Sequence, residues 1–405
     1  MPYPCTVAFD DRDFNLKLPE LLKHWGVVVI TDVFSPEECE ESMNHLVNYV
    51  EELSDGFDHK NPKDTWIKER IPPAVRDGLF QCMIGNLPAV TAIRADPRVQ
   101  KIFTIIYSNL RGKPVTEFVS SLDGVNIRPP VPPYYNESMT DWAHIDISRR
   151  DAMFECVQGQ VVLTSTSASF RCSPRSHLIY EKLLFEYGSG EHAAEWCMFN
   201  TKYYDQLAKE VEAIGGKWQI PIIVPIGSMI LWFSSTIHSA RLQSPPETIK
   251  LVEGKWKDWR GVIYTCLRPK DEIDDDHIFR LKSAYRNNLC TNHWGKKIFS
   301  TTPATQKKTV YVPKIREFMS RPSRVYEIFP KSLNPRWLKL IGYKDGIIDA
   351  ELERADIERD NKEKEVRYPD RGFGRGGGGY GRGGGGYGRG GGGYGRGGGG
   401  YGRGK

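Results

Sequence analysis

Nowhere does the 405-residue chain hold an apolar run approaching the ~20 residues a membrane-spanning helix needs. Met1-Pro2-Tyr3-Pro4-Cys5 opens no signal peptide. No Cys-x-x-Cys occurs among the eight cysteines, at 5, 39, 82, 156, 172, 197, 266 and 290, which argues against a zinc module or a disulfide scaffold. They are expected to be reduced thiols, mostly in the core. Acidic residues are absent from positions 371–405, which hold six Arg and one Lys, so a net charge of +5 for the whole leaves −2 for the remainder. The basic character is thus confined to the tail, and the body carries no overall electrostatic bias toward nucleic acid. A cytoplasmic or nuclear protein, with no membrane partner, is the expectation.

Hydrophobic residues make up 39% of the chain, enough for a sizeable core in one large domain with appendages or in two domains. Val27 to Ile30 is a β-branched run bounded by Gly26. Ser35-Pro36-Glu37-Glu38 then reads as an N-cap, a proline at the first helical position and a glutamate closing a capping box. Cys39, Met43, Leu46, Val50 and Leu53 recur at helical spacing, predicting a helix to about Leu53. A second helix opens at Asp96-Pro97, with Val99, Ile102, Phe103, Ile106 and Leu110 on its inner side. From Glu117 onward short apolar runs broken by Gly, Pro and Asn predict strands at Phe118–Leu122, Gly124–Ile127, Cys156–Thr164, Ile220–Val224, Ser228–Phe233 and Gly261–Leu267. Helical stretches over Leu178–Tyr187 and Asp205–Ile214 interrupt them, the latter stopped by Gly215-Gly216. By itself the pattern supports an α+β domain with a barrel or a sandwich.

Chemistry concentrates in Trp142-Ala143-His144-Ile145-Asp146 and, far along the chain, Thr236-Ile237-His238-Ser239 at the end of an apolar strand. In His-x-Asp the two side chains lie on one side of an extended backbone. With His238 they supply two imidazoles and a carboxylate, a set that leaves coordination positions open and suits non-haem Fe(II). Taken singly, His144 and Asp146 read as an internal hydrogen-bonded pair and His238 as a strand-end histidine.

On these residues the chain resembles the phytanoyl-CoA dioxygenase family of Fe(II)/2-oxoglutarate-dependent oxygenases, from about Leu21 to about Lys270. The resemblance is carried by Gly26-Val27-Val28-Val29-Ile30 with Phe34-Ser35-Pro36-Glu37-Glu38, by the His-x-Asp, by Gly227-Ser228-Met229-Ile230-Leu231-Trp232-Phe233 leading to His238, and by Arg260-Gly261-Val262-Ile263-Tyr264. It implies a double-stranded β-helix, a jelly-roll, cupin-like barrel packed on N-terminal helices. It also implies His144, Asp146 and His238 as the catalytic iron ligands, with 2-oxoglutarate as co-substrate. A guanidinium is a planar fork for the distal carboxylate; Arg260 matches the family position, and Arg241, three residues past His238, is the competitor. Asn126 either points into the barrel toward the 1-carboxylate or keto group or is a turn residue. Asp146 argues for hydroxylation or another oxidation, since halogenating relatives carry a small residue there. Trp142 and Trp232 flank the ligands. Pro174-Arg175-Ser176-His177 resembles the family's Pro-Gly-Ser-His turn with Arg in place of Gly, so His177 is read as structural.

The implied organisation is an oxygenase domain over residues 1–270, an extension packed on the barrel over 271–349, in which Trp294, Phe299, Tyr311, Phe318, Tyr326 and Trp337 need burial, a charged helical linker over 350–370 and a tail over 371–405. The tail repeats Tyr-Gly-Arg-Gly-Gly-Gly-Gly, with Tyr at 380, 387, 394 and 401, and is more than half glycine. It is expected to be disordered, and its arginines and tyrosines suit either contact with single-stranded RNA or a solubilising or self-associating extension. The alternative to the oxygenase is an RNA-associated binding protein with the barrel as scaffold; an oxygenase acting on nucleic acid or an RNA-bound protein would join the two. The sequence does not name the substrate, and Arg403-Gly404-Lys405 is no Ser-Lys-Leu peroxisomal signal.

Overall fold

The β-branched run Val27 to Ile30 is at most 1% exposed at every position, so both faces of this strand are covered, and the fold is explained by what covers each. A computed structural model describes residues 4–72, 74, 78–81, 83–131, 142–166, 169–188, 196–241, 252–292, 300–301 and 331–367. In chain order its strands include β1 (Thr6–Ala8), β2 (Val27–Thr31), β3 (Leu79–Phe80), β4 (Phe118–Ser120), β5 (Val125–Arg128), β6 (His144–Ile145), β7 (Val157–Val162), β8 (Ser169–Cys172), β9 (Cys197–Met198), β10 (Ile220–Ile222), β11 (Met229–Phe233), β12 (His238–Arg241), β13 (Arg260–Thr265) and β14 (Leu267–Pro269). The helices used below are α1 (Phe14–Trp25), α2 (Pro36–Leu53), α3 (Pro62–Thr65), α4 (Pro88–Arg94), α5 (Pro97–Arg111), α6 (Tyr180–Tyr187), α7 (Tyr204–Ala213) and α8 (Asp275–Arg286).

Two sheets carry the domain, one in the order β1-β2-β11-β7-β13-β5-β3 and one in the order β10-β8-β12-β6-β9. Alternation along the large sheet separates two apolar clusters. Val28, Ile30, Val157, Val161, Met229, Leu231, Phe233 and Ile263 join the side chains of α1, α2 and α5. Val27, Val29, Val162, Ile230, Trp232 and Val262 meet Phe170, Cys172 and Ile222 of the small sheet. The far face of the small sheet, with Ala143, Ile145 and Ile237, is covered by Leu183 and Leu184 of α6 and by Leu207 and Val211 of α7. The chain is therefore mixed α+β, with helices, large sheet, small sheet and helices in successive layers. No strand pairing joins the two sheets among the described residues; the expected barrel is present as two facing sheets and not as a closed ladder.

The capping box read from the sequence forms as drawn: Glu38 N–H donates to Ser35 Oγ at 3.3 Å and Ser35 N–H donates to Glu38 Oε2 at 2.8 Å. Cys39, Met43, Leu46, Val50 and Leu53 are fully buried along α2. At the end of α7, Gly215 takes a left-handed φ of +77°, and the N–H of Gly216 donates to Val211 O at 2.9 Å, the left-handed helix stop that glycine permits. The helix α1 was not anticipated, because Pro19 lies inside it and Asp13 caps it with no side-chain hydrogen bond. Strands β8 and β12 were missed as well, since polar residues interrupt their apolar alternation.

The described residues up to Glu358 form one compact unit. Beyond the sheets, α8 and a helix over Pro335–Leu340 contribute Leu281, Tyr285, Trp337 and Leu340 to the large apolar cluster. A helix over Ala350–Arg367 follows, with Leu352 and Ile357 exposed. Trp294, Phe299, Tyr311, Phe318, Tyr326 and the tail over 371–405 lie outside the described residues. No helix among the described residues is long and apolar enough to cross a membrane. Seven of the cysteines are buried and outside any disulfide.

Candidate metal centre

His144 and His238 are direct partners in the β6–β12 ladder, which puts both imidazoles on one face of the small sheet. Asp146, two residues past His144, is anchored where its N–H donates to Ser234 O at 2.9 Å. All three side chains are buried, with 4–5% of each residue exposed. Nε2 of His144 lies 3.8 Å from Asp146 Oδ1 and Nε2 of His238 lies 3.4 Å from Asp146 Oδ2; the three ligand atoms all fall within 4.8 Å of one another. Each histidine turns its other nitrogen to a carbonyl two residues back, Nδ1 of His144 to Trp142 O and Nδ1 of His238 to Thr236 O, both at 2.9 Å. A carbonyl only accepts, so Nδ1 carries the proton and Nε2 offers its lone pair to the cluster.

Aromatic rings stand beside the histidines, and Trp232 belongs at the same time to the apolar cluster between the sheets. Trp142 stacks on His144 with centroids 4.2 Å apart. Trp232 and Phe170 lie 5.4 and 5.9 Å from His238. Sequence reading missed Gln158, whose Nε2 donates to Asp146 Oδ2 at 2.9 Å. The signal was Gln158-Gly159-Gln160 inside an otherwise apolar strand, an amide pair on one face at spacing two.

Of the two candidate arginines, the structure describes one side chain. Arg260 begins β13 and is 4% exposed. Its Nε donates to Asn126 Oδ1 at 3.1 Å. Because Val262 belongs to the cluster between the sheets, Arg260, two residues before it, shares that inner face. Asn126 pairs with Val262 in the ladder and is a strand residue, so the turn reading fails. Arg128, which the sequence reading did not single out, stands directly across from Arg260 and is 1% exposed. Arg241 closes β12 opposite Ser169, and its side chain lies outside the described residues. The inner face of the large sheet thus presents successive rungs: Gln158 with Trp232, Gln160 with Tyr264, Val162 with Val262, and Arg260 with Arg128.

His177 is fully buried, with Nε2 against Lys23 O at 2.9 Å. A Cβ added at Gly26 would lie 2.3 Å from its Nδ1. It fills the space beneath the turn before β2, and burial pushes its pKa down to about 4. A second group, Glu51, Asp58 and His59, also gathers ligand atoms. There His59 Nδ1 is engaged by Glu51 Oε1 at 2.6 Å.

No family model matches the chain. Ava biosynthesis cluster protein O of Aspergillus versicolor is 21% identical over 274 residues, spanning 66% of this chain and 82% of that protein. Among solved structures, the GlcNAc-inducible gene 2 protein of Candida albicans is similar at a TM-score of 0.46 and 15% identity, over 91% of this chain and 86% of that one. EctD from S. alaskensis, with bound Fe, gives a TM-score of 0.39 and 12% identity over 65% and 80%. The epimerase SnoN, in complex with Fe3+, alpha ketoglutarate and nogalamycin RO, gives 0.36 and 14% over 64% and 84%. At this level of identity and superposition these likenesses carry no weight for the chemistry, which rests on the strand order and side chains described above.

Proposed function

We propose that the protein is an Fe(II)/2-oxoglutarate-dependent oxygenase on a double-stranded β-helix, with His144, Asp146 and His238 holding the metal. The observation that carries the reading is the convergence of two Nε2 lone pairs and one buried carboxylate with both imidazole tautomers fixed. Ligands at about 2.0–2.2 Å from a first-row cation stand roughly 3 Å apart when at right angles. His144 Nε2 stands 3.8 Å from Asp146 Oδ1 and His238 Nε2 3.4 Å from Oδ2, so the carboxylate sits beside both imidazoles at distances near that spacing. Three protein ligands leave positions for a chelating co-substrate and O2. Iron with 2-oxoglutarate supplies the oxidation of a C–H bond, coupled to release of succinate and CO2.

The chain's own part is positioning. Arg260, oriented by Asn126, offers its guanidinium to the distal carboxylate. Arg260 shares the inner face of the large sheet with Gln158, whose amide donates to Asp146. Trp142, Phe170 and Trp232 exclude water beside the histidines.

The test is succinate formation from 2-oxoglutarate by purified protein given Fe(II). His144→Ala, Asp146→Ala and His238→Ala should each abolish it while circular dichroism stays unchanged; full turnover by Asp146→Ala would refute the assignment. The Gly/Arg/Tyr repeat supports a second, compatible function, contact with single-stranded RNA through the tail.

A further inference from the structure

We infer that Gln158 is a positioning residue for the metal centre, fixing the orientation of the Asp146 carboxylate toward the cation. The inference rests on the metal assignment above. Gln158 sits on the inner face of β7, 1% exposed, directly across from Trp232. Its Nε2 donates to Asp146 Oδ2 at 2.9 Å. A carboxylate has no proton to give, so chemistry alone requires the amide nitrogen, and not its oxygen, to face Asp146. The Oε1 of the same amide has no hydrogen-bond partner among the described residues. Burying an amide with one end unmatched is costly, and the hydrogen bond to Asp146 is what offsets that cost.

This hydrogen bond has a defined geometric effect. A donor on Oδ2 takes up one lone-pair direction of that oxygen and holds the carboxylate against rotation about its Cβ–Cγ bond. Oδ1, 3.8 Å from His144 Nε2, and Oδ2, 3.4 Å from His238 Nε2, are then each held in a fixed direction. The strand beneath is paired along its length with β11 on one side and β13 on the other. Partners that orient a ligand in this way are worth roughly 10–100-fold in metal affinity.

The test uses the full chain, freed of metal, titrated anaerobically with Co(II) alone by calorimetry and visible absorption. Wild type should bind one Co(II) per chain, and His144→Ala should not. Gln158→Met keeps the side-chain length and removes the donor; its Co(II) affinity should fall roughly 10–100-fold, with altered ligand-field bands. Gln158→Glu keeps the shape and turns the donor into an acceptor, and its bands should differ from wild type too. Wild type failing to bind Co(II) would overturn the metal assignment and this inference with it. If wild type binds and both variants reproduce its affinity and spectrum, the inference about Gln158 alone falls. Lower thermal stability with an unchanged Co(II) spectrum also overturns it, since a packing role gives that result.

Discussion

Arg260 and Asn126 clasp across the β13–β5 ladder, Nε to Oδ1 at 3.1 Å, on the face that looks toward the small sheet. The asparagine fixes one edge of the guanidinium. In Arg260→Ala a buried charge-assisted pair is lost, which typically costs ~2–5 kcal/mol, so affinity for 2-oxoglutarate should fall roughly 30-fold or more. Asn126→Ala removes a single neutral acceptor, about 1 kcal/mol, and should weaken binding about fivefold. Arg241→Ala should leave it nearly unchanged. Calorimetric titration of the three variants checks the order, and a large loss in Arg241→Ala with none in Arg260→Ala would show the two roles reversed.

His177 makes stability depend on pH. Burial holds its folded pKa at about 4, below the usual histidine value near 6.5. Between those values the unfolded chain takes up a proton that the folded chain refuses, so the contribution is intact above the unfolded pKa and lost as pH falls toward 4. Up to roughly 3 kcal/mol should disappear over that window. Urea midpoints measured from pH 7.5 to 4.5 should decline more gently in His177→Gln than in wild type; equal slopes would place the protonation elsewhere.

Ser35 tests the entry to α2. Its hydroxyl accepts from Glu38 N–H, and Glu38 in turn receives Arg98 Nη2 at 2.6 Å. Ser35→Ala should cost about 1 kcal/mol, within the range of such caps. Thermal denaturation should show a drop of a few degrees with co-substrate affinity unaltered.

For the tail, deletion of residues 371–405 should remove RNA binding and leave 2-oxoglutarate decarboxylation intact. Affinity for single-stranded RNA should be insensitive to sequence and steeply dependent on salt, with a slope of about −0.7 per phosphate neutralised. Fluorescence anisotropy of both chains across a salt series decides it. Equal binding by the truncated chain would move the RNA surface to the folded part.

The pairing of His144 with Asp146 and the helix α2 were legible because each depends on short-range rules. His-x-Asp shares a face by strand alternation, and Ser35 to Glu38 is a local hydrogen-bonding unit. Gln158 was not legible, since its meaning depends on which strand faces β7 across the interior, a fact of tertiary packing. Arg128 is similar: only the β13–β5 register shows it opposite Arg260. Strands β8 and β12 escaped notice because polar residues, Ser169 and Arg171 in one and His238 and Ser239 in the other, break the apolar alternation that announces a strand.

Metal-dependent binding of 2-oxoglutarate tests the oxygenase assignment most directly, because it needs the ligand trio and the arginine at once and no knowledge of the substrate. Under anaerobic conditions wild type with Fe(II) should bind one 2-oxoglutarate per chain, and the same protein stripped of metal should bind none. Asp146→Ala should bind none in either condition. Binding of equal strength with and without metal, or retained in Asp146→Ala, would contradict the assignment of His144, Asp146 and His238 as the centre of an oxygenase.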